Sequence, residues 1–185
     1  MIEIQELENK LADCLSQRKD VLRLPIKQRA KFEGWLKIEL ATALANDARF
    51  ENVRLEETFQ RSKKADLSFS VAGKRFFIQM KTCNTNWRME EVEERTRPIT
   101  MNIASVIDDI RSLKELSHAD LGLVVMVLFP VHRKMADASP RDKKLDLFLQ
   151  RIEEAAGYER GSLRGKFVPV VGQAGILTYV IRPEP

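Results

Sequence analysis

The apolar run at residues 121–129, LGLVVMVLF, constrains the fold more than any other stretch of the sequence. It is too short to span a bilayer and predicts a strand that is buried on both faces. A helix predicted over residues 99–116 precedes it, and such a helix implies a right-handed crossover between parallel neighbouring strands. The chain is therefore expected to form a mixed sheet covered by helices.

Further helices and strands are predicted on both sides of this unit. The helical spans are 2–24, ended by Pro25, then 28–46, 99–116, and a helix with Ser139 as its N-cap that ends near Gly157. The strands are 52–59, 65–71, 75–82, 121–129, 167–171 and 176–182, and residues 130–138 are expected to form a polar loop. From the second helix onward the order is α-β-β-β-α-β and then α-β-β. The predicted fold is α/β or α+β, one domain with an N-terminal helix (1–25), a core (28–131) and a C-terminal helix and hairpin (139–185).

The dipeptide Ala72-Gly73 predicts a two-residue hairpin turn between the second and third strands. With that turn, Asp66 lies directly opposite Gln79, with about 5 Å between the Cα atoms. Side chains alternate along a strand, so Asp66, Gln79 and Lys81 would project from one face. A longer loop would shift this register.

One carboxylate, one amide oxygen and one ammonium group would then converge at the sheet. Oxygen ligands of this kind suit Mg²⁺, which takes few protein ligands and keeps several waters; Mn²⁺ is a possible substitute. A lysine beside such a metal can hold or help deprotonate an attacking water, or stabilise developing negative charge. These residues therefore indicate chemistry on phosphate esters.

The spacing of these residues resembles a known nuclease motif. Asp66, twelve intervening residues and then Gln79-Met80-Lys81 look like the PD-(D/E)XK motif of the restriction-endonuclease-like superfamily. The predicted α-β-β-β-α-β order also resembles the core of that superfamily, over roughly residues 31–129. The layout of SKKADLSFSVAGKRFFIQMK is similar to that of Holliday-junction resolvases.

The resemblance implies roles for individual residues. Asp66, Gln79 and the Met80 carbonyl would hold Mg²⁺, and Lys81 would orient the attacking water. An acid on the helix KFEGWLKIELATAL would complete the site, either Glu33 or Glu39. The two lie a third of a turn apart and are not expected to reach one site together. Glu39 is favoured because it lies beside the buried side of the helix.

Two positions depart from the motif. Ala65 stands where the motif name has proline, and Gln79 stands where an acid is usual, which should lower metal affinity. The function implied is a metal-dependent DNA endonuclease of restriction or repair type. The alternative is a catalytically inactive nuclease-like module that binds DNA or a protein partner.

Basic and polar residues near the motif are candidates for contacts with nucleic acid. They would make binding strongly salt-dependent if they line one face. The residues are Lys63, Lys64, Lys74, Arg75, Asn84 and Arg88. Further basic groups lie at 133–134, 141–144 and 160–166.

Composition excludes several other classes of protein. The 185 residues are 44% apolar and 31% charged, and the net charge of +4 permits a polyanionic partner without requiring one. Two histidines with Cys14 and Cys83 are too few for a usual zinc site or a disulfide framework. The N-terminus lacks the apolar core of a signal peptide, so a soluble cytoplasmic protein without membrane contact is expected. The first helix either packs on its own domain or forms a short coiled-coil contact in a homodimer.

Overall fold

A six-stranded mixed sheet with helices on both faces organises the computed structural model, which describes residues 4–60, 63–94, 99–117 and 119–184. The helices are α1 (Ile4–Gln17), α2 (Lys19–Gln28), α3 (Glu33–Ala45), α4 (Ile99–Lys114), α5 (Arg133–Ala136) and α6 (Lys143–Ala156). The strands are β1 (Glu51–Leu55), β2 (Thr58–Gln60), β3 (Lys63–Lys64), β4 (Leu67–Val71), β5 (Lys74–Asn84), β6 (Asp120–His132), β7 (Lys166–Val171) and β8 (Ala174–Ile181).

The order of strands in the sheet is β1-β4-β5-β6-β8-β7. β5 and β6 are parallel and joined by α4, whereas the other neighbours are antiparallel. The predicted apolar strand lies at the centre, and residues 123–131 are all buried. The expected mixed sheet flanked by helices, an α+β architecture, is confirmed. β2 and β3 form a separate small sheet.

The side-chain alternation of β5 separates two apolar cores. Phe76, Ile78 and Met80 pack with α1, α2 and α3 on one face. Phe77 and Cys83 pack with α4 and α6 on the other face. Each face of β5 therefore packs against a different set of helices. Polar side chains on this strand must lie at positions that the helices do not cover.

The β4–β5 hairpin has the predicted turn and register. Ala72 and Gly73 have φ angles of 49° and 75°, the positive values that a type I′ two-residue turn requires. Paired residues run from Val71 opposite Lys74 to Leu67 opposite Ile78. The regular pairing ends there, because the Asp66 amide donates to the Ile78 carbonyl at 2.9 Å. Asp66 therefore lies just beyond the last paired residue, and the predicted pair of Asp66 with Gln79 is not part of the ladder.

The N-terminal region differs from the prediction. The first helix is divided at Arg18, and Pro25 lies inside α2 rather than ending a helix. Leu22 and Ile26 on this helix are both 0% exposed, and their burial compensates for the hydrogen bond that proline cannot donate. α2 ends instead at Arg29, whose φ of 53° is left-handed, so the next helix starts at Glu33 instead of residue 28.

The apolar side of α1 packs within its own domain. Leu7, Leu11 and Leu15 are each at most 1% exposed and belong to the core beneath the sheet. Within the described parts of the chain, no helix has the length and apolar character needed to cross a membrane.

The last helix starts later than expected. Its N-cap is Asp142, whose carboxylate accepts from the Lys144 amide at 2.9 Å and the Leu145 amide at 3.3 Å. Ser139 is therefore not the cap, because Asp142 satisfies two of the free amides at this terminus. The predicted loop 130–138 contains the end of β6 and the short α5.

Candidate functional site at the open edge of the sheet

Beyond Ile78, one edge of β5 has no neighbouring strand within the described parts of the chain. β5 pairs with β6 along its whole length, from Arg75 opposite Asp120 to Asn84 opposite Phe129. On its other edge, pairing with β4 stops at Ile78. Backbone groups of alternate residues point to the same edge of a strand, so Met80 and Thr82 face this open edge. Their amides need other partners.

Two carboxylates satisfy these amides. The Met80 amide donates to Asp66 Oδ2 at 2.7 Å, and the Thr82 amide donates to Glu33 Oε2 at 2.9 Å. Asp66 comes from the start of β4, and Glu33 from the first turn of α3. Lys81 lies between the two amides on the same strand. The open edge thus brings an aspartate, a glutamate and a lysine together from three separate elements.

The Lys81 side chain turns toward α4. Its ammonium nitrogen lies 3.2 Å from Asp109 Oδ2. Burial lowers the pKa of Lys81, but the charges of Asp109, Glu33 and Asp66 outweigh it, so the pKa lies above its ordinary value. Lys81 is therefore protonated at neutral pH and acts as a fixed positive charge.

Asp109 is a member of the site that sequence reasoning missed. Burial raises the pKa of its carboxyl group, and the adjacent Lys81 opposes that rise. A signal for it was present, because Asp109 lies next to the buried face formed by Val106, Ile110 and Leu113. An acid that borders an apolar helix face needs a partner, but the identity of that partner depends on where the helix packs.

Lys37 is a second ammonium group at the edge, also not identified from the sequence. It lies one helical turn after Glu33 on α3. Its nitrogen is 2.9 Å from Asp66 Oδ1 and 2.7 Å from Glu56 Oε1. Burial lowers the pKa of Lys37, but hydrogen bonds to Glu56 and Asp66 raise it by more, so the net pKa is above its ordinary value. Asp66 is therefore already paired with a cation.

Gln79 lies beside this cluster. Its Nε2 donates to the Lys64 carbonyl at 2.8 Å. This hydrogen bond ties the end of β3 to β5 and commits the nitrogen of the amide. The Oε1 atom is then the part of Gln79 suited to a cation. The Met80 carbonyl shares the open edge with the Met80 amide.

The structure brings Glu33, rather than Glu39, to the open edge. Glu39 Oε2 lies 3.4 Å from the Arg18 guanidinium, near the start of α2. Six helical residues rotate a side chain by about a third of a turn, so the two acids face different parts of the molecule. The sequence favoured Glu39 because of its buried neighbours. The structure instead brings Glu33 to the edge, because the packing of α3 turns this first residue of the helix toward β5.

A separate buried cluster holds the chain where β5 ends. Arg29 is 4% exposed and Asn84 is 5% exposed. The Arg29 guanidinium donates to the carbonyls of Glu93 at 2.6 Å, of Trp87 at 2.5 Å and of Thr85. Asn84 Nδ2 donates to the Arg29 carbonyl at 2.6 Å. Asn84, predicted to contact nucleic acid, is thus enclosed within this Arg29 cluster.

The other predicted nucleic-acid residues are spread along the sheet. Lys63 and Lys64 lie next to the site, where Lys63 pairs with Glu115 at 2.8 Å. Lys74 and Arg75 begin β5, about 20 Å from Met80 at the rise of an extended strand.

Arg75 is paired with Asp120 at 3.4 Å. Arg88 is 86% exposed and lies 3.3 Å from Glu94. Only Lys63 and Lys64 of this set are therefore adjacent to the open edge, through the hydrogen bond between Gln79 and the Lys64 carbonyl.

The charged residues around the edge form what we term the open-edge group. Its members are Glu33, Lys37, Glu56, Asp66, Lys81 and Asp109. When all are ionised, four carboxylates and two ammonium groups leave two negative charges, which one divalent cation would neutralise. Among residues 4–60, 63–94, 99–117 and 119–184, no three His, Cys, Asp or Glu side chains are close enough to hold a metal ion by themselves.

A mixed donor set fits Mg²⁺ better than an all-carboxylate cage, since Mg²⁺ is bound by one or two carboxylates and keeps waters. Asp66 and Glu33 would supply carboxylates to such a set, and Gln79 and Met80 would supply amide and carbonyl oxygens. The Lys37 ammonium is a cation already at Asp66, so the edge attracts positive charge. Comparisons of the chain with protein-family models, with curated proteins and with solved structures gave no match.

Proposed function

We propose that the protein is a Mg²⁺-dependent DNA endonuclease that hydrolyses phosphodiester bonds at the open edge of β5. The observation that carries the proposal is the pairing of Asp66 and Glu33 with the amides of Met80 and Thr82, on either side of Lys81. This pairing places two carboxylates and one ammonium group along the same edge of β5. Between α3 and β6, β2 and β3 form a separate small sheet, and the elements of the main sheet and its helices follow in the order α3-β1-β4-β5-α4-β6. This order supports a restriction-endonuclease-like core, because it resembles the α-β-β-β-α-β order of that superfamily.

Four oxygen donors would hold the metal in this proposal: Asp66, Glu33, Gln79 Oε1 and the Met80 carbonyl. A bound Mg²⁺ supplies Lewis-acid polarisation of a phosphoryl oxygen and lowers the pKa of water. Mn²⁺ is expected to substitute. The neutral Gln79 contributes no charge, so the affinity for metal should be lower than that of a site with an acid at this position.

Lys81 orients the attacking water and stabilises negative charge on the phosphate. Burial lowers the pKa of Lys81 and the charges of Asp109, Glu33 and Asp66 raise it by more, so Lys81 would act in this proposal as a donor of hydrogen bonds from its ammonium group. Asp109 holds the Lys81 ammonium from the α4 side. Attack in line with the leaving oxygen would give a 5′-phosphate and a 3′-hydroxyl, as the resemblance to this superfamily implies.

DNA is the proposed substrate. Lys63 and Lys64 lie together on β3 beside the site and are both exposed, so they can contact phosphates near the scissile bond. Binding should weaken as salt rises, because each phosphate contact releases counterions.

A plasmid-nicking assay tests the proposal. Wild type, Asp66→Ala and Asp108→Ala are incubated with supercoiled, linear, single-stranded and branched DNA in Mg²⁺, Mn²⁺ or EDTA. Asp108 is the neighbour of Asp109, but its side chain is 73% exposed, so Asp108→Ala is the matched control. Metal-dependent cleavage that is lost in Asp66→Ala and kept in Asp108→Ala is the expected result. Cleavage by Asp66→Ala at the wild-type rate would overturn the assignment.

The second candidate is a nuclease-like module that binds DNA or a protein partner without cleaving. The observation that favours it is the ion pair between Lys37 and Asp66, together with a glutamine at position 79. No cleavage of any substrate, with salt-sensitive DNA binding intact, would support this candidate. In that case Gln79→Glu, which restores the usual acid, could create activity that the wild type lacks.

A further inference from the structure

Lys37 bridges an inner and an outer carboxylate. Its ammonium nitrogen lies 2.9 Å from Asp66, whose side chain is 15% exposed, and 2.7 Å from Glu56, whose side chain is 55% exposed. Both contacts come from one flexible four-carbon side chain. Lys37 therefore has one partner inside the site and one at the surface.

Asp66 does not depend on Lys37 for its orientation. Its Oδ2 atom accepts from the Met80 amide at 2.7 Å, and its own backbone amide donates to the Ile78 carbonyl. These two bonds hold the carboxylate just before the start of β4. Oδ1 is the atom that contacts Lys37, so it is the atom at which one cation could replace another.

A divalent cation and the Lys37 ammonium cannot share Asp66 Oδ1 without strong repulsion between like charges. If a metal binds there, the ammonium has to leave, and Glu56 remains available as its partner. The lysine would then move toward the surface without losing both ion pairs. The open-edge group carries two net negative charges when all its members are ionised. A divalent cation can therefore bind while the Lys37 ammonium stays in the group, paired with Glu56.

We infer that Lys37 is an internal counter-ion that Asp66 exchanges for a divalent cation, and that it thereby limits the affinity of the site for metal. This inference rests on the metal site of the proposed function, but it concerns binding and not cleavage. Lys37 is a positioning residue in this scheme. It keeps the carboxylates of the edge paired until the metal arrives.

Titration calorimetry with Mn²⁺ tests the exchange. Lys37→Met removes the competing charge and nearly keeps the length of the side chain. Its Mn²⁺ affinity should be about tenfold or more above that of wild type, because one nearby unit charge commonly shifts a carboxylate equilibrium by that factor. Lys37→Arg retains the charge and should show no such gain.

Lys19→Met is the control for general electrostatics. Lys19 is exposed at the start of α2, and the described contacts include no hydrogen bond or ion pair between its ammonium group and the open-edge group. Its removal should raise Mn²⁺ affinity by less than about twofold. A Lys37→Met protein that is folded by circular dichroism and binds Mn²⁺ no more tightly than wild type would overturn the inference.

The outcomes separate this inference from the proposed nuclease. Tighter Mn²⁺ binding by Lys37→Met in a protein that cleaves no DNA would keep the exchange and remove the nuclease. If wild type cleaves DNA and Lys37→Met binds Mn²⁺ no more tightly than wild type, the nuclease is kept and the exchange is overturned.

Discussion

Two polar clusters lie close together along β5 and differ in what their side chains contact. The Arg29 cluster is enclosed, and the guanidinium of Arg29 donates to main-chain carbonyls of the segment that follows β5. In the open-edge group, the ammonium groups of Lys37 and Lys81 contact carboxylates on other elements, and these side chains remain partly exposed. One cluster is therefore built on contacts to main-chain carbonyls and the other on ion pairs between side chains.

Whether the partners are main-chain or side-chain groups decides which of the two clusters can change partners. A main-chain carbonyl cannot move away from Arg29 unless the segment itself refolds. A lysine in an ion pair can rotate to another carboxylate at little cost, because its chain is flexible and water reaches it. We therefore assign stability to the Arg29 cluster and chemistry to the open-edge group.

The largest effect is expected for Lys81. Lys81→Met should lower the rate of DNA cleavage by about 100- to 1000-fold, the usual cost of removing one group that stabilises transition-state charge. Lys81→Arg should retain at least about tenfold more activity than Lys81→Met, because arginine keeps the charge. Single-turnover rates of nicked-product formation measure the effects of both substitutions. Lys74→Met, at the other end of β5, is the control. If Lys81→Arg were as inactive as Lys81→Met, charge alone would not explain the role of Lys81.

Substitution in the Arg29 cluster should lower the stability of the fold. Arg29→Met leaves the buried carbonyls of Thr85 and Trp87 without their donor and should lower the free energy of unfolding by about 3 kcal/mol. Urea denaturation followed by circular dichroism measures this, and the exposed Arg88→Met should change little. A folded Arg29→Met protein should still cleave DNA at low temperature. Unchanged stability with lost cleavage would invert the assignment of the two clusters.

The smallest effect of the three separates the two acids of α3. Glu33→Gln should lower cleavage at limiting Mg²⁺ by about 10- to 100-fold, as is usual when a group that holds or orients a metal is altered. Glu39→Gln should change it by less than about twofold, because Glu39 contacts Arg18 away from the site. Cleavage rates over a Mg²⁺ titration compare them, and a larger loss in Glu39→Gln would restore the choice made from the sequence.

Local chemistry made much of the fold predictable. The turn at Ala72-Gly73 requires positive φ at both residues, and a two-residue turn leaves one register for the strands it joins. The apolar run at 121–129 and the helix before it predicted a parallel pair at the centre of the sheet, and the structure has it. Each of these depends on residues that are neighbours in sequence.

Predictions at the ends of elements were less accurate. Pro25 lies within α2, because burial of Leu22 and Ile26 offsets the missing hydrogen bond. Asp142 caps α6 in place of Ser139, since its carboxylate reaches two amides. In both cases a contact specific to the folded chain outweighed a local preference.

Turn chemistry that is local in the sequence places Asp66, Gln79 and Lys81 at one end of a hairpin. The side chains that join them there depend instead on how distant helices pack. Glu33 and Lys37 reach the edge because of the rotation of α3 about its axis, and Asp109 because of how α4 packs on β5. A turn sets register through the backbone of adjacent residues, whereas the rotation of a helix is set by apolar packing summed over the whole core.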